Sequence, residues 1–260
     1  MAAKSVVLQG ADPDRADLRI LLIPHAGAGA AAGRGFAGSA PADWQTATVR
    51  LPGRESRIRE AVTDLDGLVA DVVRTAGELP GRAPMLVVGV CSGAVVGLEA
   101  VRELQRTAPG LVAGFVAAAQ WPLNEKPGPD RALLRDAADV PEVLAILQDF
   151  GGIPKELEEN EEMLAAVLPA IVADIEAVEG HYAEPTPLLD VPLLTIAGET
   201  DELCTAERMA GWQEYGDSRE VRIPGGHLLL ADDSAALAGA IAGHLDHFPA
   251  IPTTPKGDRS

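Results

Sequence analysis

Six short apolar runs, spaced along the chain and separated by helical patterns, constrain the fold more than any other feature. LRILLIP (Leu18–Pro24), TATVRLP (Thr46–Pro52), MLVVGV (Met85–Val90), LVAGFVAAA (Leu111–Ala119), PLLTIAG (Pro192–Gly198) and REVRIPG (Arg219–Gly225) read as strands. Most are unbroken rather than alternating, as in strands covered on both faces of a parallel sheet. Between them, Leu65, Leu68, Val69, Val72, Val73, Ala76 and Leu79 recur at helical spacing, with Thr63 as expected N-cap and Pro80 as the stop. Ala94–Leu104 and Ala235–Leu245 repeat that pattern. The alternation predicts an α/β chain with a mostly parallel central sheet and helices on both faces.

From Pro122 to Leu188 the rhythm breaks. Helical stretches at Ala132–Ala138, Pro141–Phe150 and Glu161–Glu179 replace strands, with Gly-Gly-Ile-Pro between the last two. An all-helical insertion between two strands of such a sheet is often a lid over the site, although a purely structural appendage has the same appearance. The expected organisation is therefore a core over 1–121, a helical lid over 122–188 and a second part of the core over 189–248. The Pro-rich, polar segment 249–260 is expected to be disordered.

Composition narrows the partners. Of 260 residues, 47% are hydrophobic but only 3% aromatic, so Ala, Val and Leu must fill one large core. A net charge of −18 disfavours nucleic acid and anionic membrane. No apolar run reaches the ~18 residues of a membrane span, and the N-terminus lacks the apolar centre of a secretory signal. Two cysteines, Cys91 and Cys204, fit a reduced cytoplasm better than a disulfide framework. The acidity is uneven: residues 1–60 hold eight Lys/Arg against six Asp/Glu, a balance of +2, which leaves −20 for the rest. Arg50, Arg54, Arg57 and Arg59 lie within ten positions. They are candidates for docking an acidic partner, or simply solvated arginines.

The third run leads into Gly89-Val90-Cys91-Ser92-Gly93 and then a helical segment. A strand, a tight Gly-x-nucleophile-x-Gly turn and a helix form the nucleophile elbow of α/β-hydrolases. Centred on Cys91, the flanking positions are Gly89 and Gly93; centred on Ser92 they would be Val90 and Ala94, a poor fit. The elbow therefore presents Cys91, and Ser92 offers its backbone N–H to an oxyanion. A buried, inert cysteine in an ordinary turn is the alternative. The partners favour the elbow: Asp201 follows the fifth run, and His227 follows the sixth. Nucleophile, acid and histidine thus appear in the chain order this fold uses, at the sheet edge where its ligands bind. After the first run, Pro24-His25-Ala26-Gly27 stands where a second oxyanion donor belongs, with Ala26 supplying the N–H. The glycine-rich turn matches neither the dinucleotide nor the nucleotide phosphate pattern.

From about Ile20 to Phe248 the chain resembles the type II thioesterases of polyketide and nonribosomal peptide biosynthesis. The resemblance is carried by Pro24-His25-Ala26-Gly27, by Leu51-Pro52-Gly53-Arg54, and by Gly151-Gly152-Ile153-Pro154. Leu168-Pro169, Asp174, Tyr182 and Pro224-Gly225-Gly226-His227 continue it. It implies the α/β-hydrolase fold and a thioester substrate on the phosphopantetheine of an acyl or peptidyl carrier protein. It further implies no resident cofactor or metal, and a role in antibiotic-type biosynthesis in the cytoplasm. His25, Gln120, Trp121 and Tyr182 are the substrate-binding candidates, and a monomer is the expected state.

The elbow departs from the family's Gly-His-Ser-Met-Gly at all three central positions. The turn after the fourth run departs too, reading Ala119-Gln120-Trp121-Pro122. A cysteine would keep the acyl group activated as a thioester. Hydrolysis is then the first expectation. Transfer from Cys91 to an amine, a hydroxyl or a second carrier thiol stands close behind, and a non-catalytic carrier-binding module is the third possibility.

Overall fold

The computed structural model describes residues 5–61, 63–124, 140–149, 153 and 159–252. Its centre is a seven-stranded sheet: β1 (Val6–Gly10), β2 (Leu18–Ile23), β3 (Trp44–Val49), β4 (Met85–Val90), β5 (Gly114–Ala118), β6 (Leu193–Gly198) and β7 (Ser218–Ile223). The spatial order is β1-β3-β2-β4-β5-β6-β7, parallel except for β1, which pairs antiparallel with β3. This is the expected α/β-hydrolase architecture.

The unbroken apolar runs follow from burial on both faces. Leu21, Ile23, Val87, Phe115 and Ala117 point into one core, and Ile20, Leu22, Leu86, Val88 and Val116 into the other. Among the described residues the α-helices, in chain order, are α1 (Arg34–Ser39), α2 (Leu65–Glu78), α3 (Ser92–Thr107), α4 (Val140–Asp149), α5 (Glu161–Val178), α6 (Ala206–Ala210), α7 (Leu229–Asp232) and α8 (Ser234–Gly243). Leu68 and Val72 of α2 and Leu98 and Val101 of α3 close the first core, while Phe36 of α1 and Leu237 and Ile241 of α8 close the second. No helix among the described residues is long and apolar enough to cross a membrane.

Several expectations need correction. The strand β1 was not anticipated: its five residues alternate in burial at the sheet edge, a weaker signal than the central runs. β3 begins at Trp44, because Trp44 and Gln45 pair with Leu18 and Arg19, and Leu51-Pro52 belong to the next turn. The N-cap of α2 is Asp64 rather than Thr63; its carboxylate accepts the Gly67 N–H at 3.0 Å. Leu79, immediately before Pro80, is extended and stops the helix as expected. Ile251 is 4% exposed in the second core, so the fold runs past Phe248 into the segment expected to be disordered.

Between β5 and β6 the described residues hold helices α4 and α5 and no strand. The helix expected at Ala132–Ala138 lies outside the described residues, as do Gly151, Gly152, Pro154 and the tail from residue 253 onward.

Candidate active site

The β4–α3 turn is strained at one residue. Cys91 has φ 52° and ψ −127°, a conformation that costs an L-residue about 1–3 kcal/mol. Its N–H is fixed by the Ala118 carbonyl at 2.9 Å. The neighbouring glycines are obligatory. A Cβ on Gly89 would lie 2.4 Å from the Ala94 Cα, and one on Gly93 would lie 2.4 Å from the Ile23 carbonyl oxygen. Cys91 is partly exposed, whereas the Ser92 side chain is buried. Ser92 is the first residue of α3, so its backbone N–H has no partner within the helix.

Two loops at the same sheet edge are joined by hydrogen bonds. Thr200, beyond β6, donates both its N–H (3.0 Å) and its hydroxyl (2.9 Å) to the Gly225 carbonyl beyond β7. Gly198 allows the approach, because a Cβ there would meet the Gly225 and Gly226 oxygens at 2.3 Å. This brings Asp201 Oδ2 to 2.9 Å from His227 Nδ1. Asp201 Oδ1 meanwhile accepts the N–H groups of Leu203 at 2.9 Å and Cys204 at 3.0 Å.

The electrostatics follow from these contacts. Burial opposes the charge on Asp201, but the bond to His227 and the two backbone donors outweigh it and bring its pKa down to about 2. Burial likewise opposes charge on His227, and the bond to Asp201, with contributions from Cys204 and Cys91, raises its pKa well above the ordinary imidazole range. His227 Nε2 is buried and has no hydrogen-bond partner among the described residues.

Cys204 is a neighbour the sequence reading missed. It is fully buried, its Sγ is 4.0 Å from His227 Nδ1, and burial pushes its thiol pKa up to about 11. Asp201, Cys204 and His227 have donor types that could hold a metal ion, with ligand atoms within 4.8 Å of one another. The Asp201–His227 hydrogen bond and a protonated Cys204 account for the cluster without one.

The loop after β2 carries His25, Ala26 and Gly27. Burial, helped by the charge on His227, lowers the His25 pKa to about 4, so this ring is neutral. Gly27 (φ +73°) lies directly beneath α5, and its N–H donates to Asp174 Oδ2 at 2.8 Å. Gln120 is buried beyond β5, where its side-chain amide donates to the Trp121 backbone carbonyl at 2.8 Å and its backbone carbonyl accepts the Trp212 indole N–H at 2.9 Å. Trp121 is half-buried under the Arg208 guanidinium, 4.9 Å from the ring centroid. Tyr182 is half-buried just past α5.

The four arginines do not form one surface. Arg54 is 4% exposed, and its two terminal nitrogens donate to the Asp174 carboxylate at 2.6 Å each. Arg57, 5% exposed, is paired with Asp71 and donates to the Arg50 carbonyl at 2.7 Å. These two are internal cross-links, which corrects their assignment as docking residues. Arg50 pairs with Glu55 and donates to the Ser56 hydroxyl at 2.8 Å, and Arg59 is exposed.

Comparison with known proteins agrees with this architecture. Residues 18–248 match the family model described as "Thioesterase domain". Phenyloxazoline synthase MbtB of Mycobacterium tuberculosis is 30% identical over 227 residues, covering 86% of this chain but only 16% of that protein's length. The gramicidin S biosynthesis protein GrsT of Aneurinibacillus migulanus is 27% identical, covering 83% of this chain and 84% of that one. Among solved structures, RedJ, a thioesterase from the prodiginine pathway of Streptomyces coelicolor, superposes with a TM-score of 0.79 at 23% identity, covering 92% of this chain and 88% of RedJ. YbtT, a type II thioesterase of the yersiniabactin pathway, gives 0.78 at 24%, covering 95% and 100%. At these identities the two structures speak for the fold, and the family model, which spans most of the sequence, for the family: the chain belongs to the thioesterase domain family.

Proposed function

We propose that this chain hydrolyses an acyl or peptidyl thioester carried on the phosphopantetheine of a carrier protein, through an acyl-S-Cys91 intermediate, in polyketide or nonribosomal peptide biosynthesis. One observation carries the reading. The single strained, partly exposed residue of the elbow is a thiol, at a helix N-terminus that favours negative charge.

In this mechanism Cys91 reacts as the thiolate, its proton held by His227, whose Nδ1 is oriented by Asp201. Attack on the thioester carbonyl forms the C–S bond to Cys91 and places the oxyanion against the Ala26 and Ser92 N–H groups. Collapse breaks the bond to the pantetheine sulfur, which leaves as a thiol with the proton from His227. Water, deprotonated by His227, then attacks the acyl-S-Cys91 carbonyl; Cys91 is released and the product is a carboxylic acid. The carrier-bound substrate rests on the resemblance and on relatives named for such pathways.

The thiol also supports a second reading. An acyl-S-Cys91 is as activated as the incoming thioester, so an amine, a hydroxyl or a second carrier thiol could take the acyl group in place of water. A non-catalytic binding module fits poorly with a histidine held by a buried carboxylate.

Intact-protein mass spectrometry after incubation with an acyl-pantetheine thioester tests the proposal. Wild type and Ser92→Ala should gain the acyl mass, and Cys91→Ala should not. Loss of the adduct in Ser92→Ala alone would move the nucleophile to the serine. Iodoacetamide at neutral pH should alkylate Cys91 and leave the buried Cys204 unmodified; a Cys91 that resists alkylation would favour the binding module.

A further inference from the structure

We infer that Asp174 is a positioning residue for the oxyanion site: from α5 it fixes the loop that carries Ala26. The inference rests on the proposed role of the Ala26 N–H.

Asp174 is 3% exposed, and both its oxygens are engaged. Oδ1 accepts Arg54 Nη2 at 2.6 Å; Oδ2 accepts Arg54 Nη1 at 2.6 Å and the Gly27 N–H at 2.8 Å. Arg54 in turn donates to the Ala28 carbonyl and to the Pro52 carbonyl, each at 3.2 Å. One carboxylate and one guanidinium thus hold both sides of Gly27 in a network that spans α5, the loop after β2 and the turn after β3.

Packing points the same way. A Cβ on Gly27 would come within 2.1 Å of Ile171 Cγ1, one turn before Asp174 on the same helix. Ala26 packs against the apolar cluster of Ile153, Leu164, Ile171 and Ile175. The peptide on the C-terminal side of Ala26 is therefore clamped between an apolar surface and a charged acceptor. That plane is the anchor on one side of Ala26, so it restricts how far the residue, and the N–H one peptide before it, can swing.

Stability alone is a weak reason for this arrangement. A buried ion pair is about as stable as a well-packed apolar pair of the same volume. Apolar side chains, however, could not accept the Gly27 N–H. What the carboxylate adds is an oriented acceptor beside the proposed oxyanion donor.

Two reactions of Cys91 separate positioning from scaffolding. Acylation by an acyl-pantetheine thioester passes through an oxyanion, whereas alkylation by iodoacetamide does not. Asp174→Ala, which leaves the Gly27 N–H without its acceptor, should slow acylation about 10- to 100-fold, with KM little changed and alkylation within about twofold of wild type. Arg54→Lys and Asp174→Asn each keep an acceptor oxygen for Gly27 and should slow acylation less. Should Asp174→Ala fold poorly, the double variant Arg54→Met with Asp174→Leu replaces the buried pair by apolar volume, deletes the acceptor and should show the same selective loss. Acylation at the wild-type rate in a folded variant, or equal slowing of acylation and alkylation, overturns the inference. A wild type that alkylates but never acylates overturns the proposed function, and this inference with it.

Discussion

Asp201 grips His227 with one carboxylate oxygen while two backbone N–H groups hold the other, so the imidazole is oriented by an anchored acid. Asp201→Asn removes the charge and presents an amide that can donate to the ring. Turnover of an acyl-pantetheine substrate should fall by about 10³- to 10⁴-fold, while circular dichroism shows a folded protein. The sign of the pH effect follows from the depressed pKa. The stabilisation is present above the ordinary carboxylate value of 3.8 and is lost as pH falls toward about 2. A kcat within tenfold of wild type would reassign the acid.

His25 makes a separate prediction in a higher pH window. Its folded pKa is about 4 against an ordinary 6.5, lowered by burial and by His227. Between those values the unfolded chain binds a proton that the folded chain refuses, so stability falls as pH drops from 6.5 to 4 and this contribution then levels off. The loss should be on the order of 2 kcal/mol, allowing for partial exposure of the ring. Urea midpoints at pH 7 and pH 4.5 should separate in wild type and draw together in His25→Asn. An unchanged separation would place the acid sensitivity elsewhere.

Two glycines give opposite stability predictions. A Cβ on Gly93 would press on the Ile23 and Pro24 carbonyl oxygens at 2.4 and 2.5 Å, and backbone cannot swing aside as a side-chain end can. Gly93→Ala should cost about 3 kcal/mol or more and displace the elbow. Gly77, near the end of α2, has nothing within 4 Å of such a Cβ. Gly77→Ala should raise stability by about 0.5 kcal/mol. Thermal melts of both variants test the contrast, and a stable Gly93→Ala would contradict the tight elbow.

With Arg54 and Arg57 buried, Arg50 and Arg59 are what remains of the proposed carrier contact. Reversing the exposed Arg59 to Glu and replacing Arg50 by Gln, which avoids setting a carboxylate against Glu55, should raise KM for a carrier-bound thioester severalfold at low salt and leave a free pantetheine thioester unaffected, and the difference should shrink with added salt. Equal effects on the two substrates would remove this surface from docking. The same reversal at Arg54 or Arg57 should instead destabilise the fold, because it sets carboxylate against Asp174 or Asp71 in a buried space.

What was legible in the sequence is what local pattern and chain order determine. Strands buried on both faces read as unbroken apolar runs, and the elbow's glycines discriminate between Cys91 and Ser92 by position alone. Asp201 and His227 were locatable because each follows a strand of the central sheet, β6 and β7. Partners distant in sequence were not legible. A run of arginines looks like surface until Asp174, 120 residues from Arg54, is seen to bury one and Asp71 another. Cys204 gave no signal of its own; the short turn that lets its N–H reach Asp201 also brings its sulfur beside His227.

Cys91→Ser separates the two readings of the elbow. For a hydrolase, serine should keep useful activity, since His227 can accept the hydroxyl proton and the acyl-serine oxoester is still open to water. For a transferase, serine should trap the acyl group as a less activated ester, so that transfer collapses while slow hydrolysis persists. The elbow's geometry gives both variants the same backbone: φ 52° at position 91 is imposed by Gly89, Gly93 and the Ala118 carbonyl, whatever side chain the residue carries. A difference in product partition would therefore report on sulfur against oxygen rather than on a rebuilt turn. The measurement is the ratio of acid to amide or new thioester when water, an amine and a pantetheine thiol compete, for wild type and Cys91→Ser. Acid as the sole product in both proteins would rule out transfer; amide or thioester from wild type alone would make the thiol the reason for it.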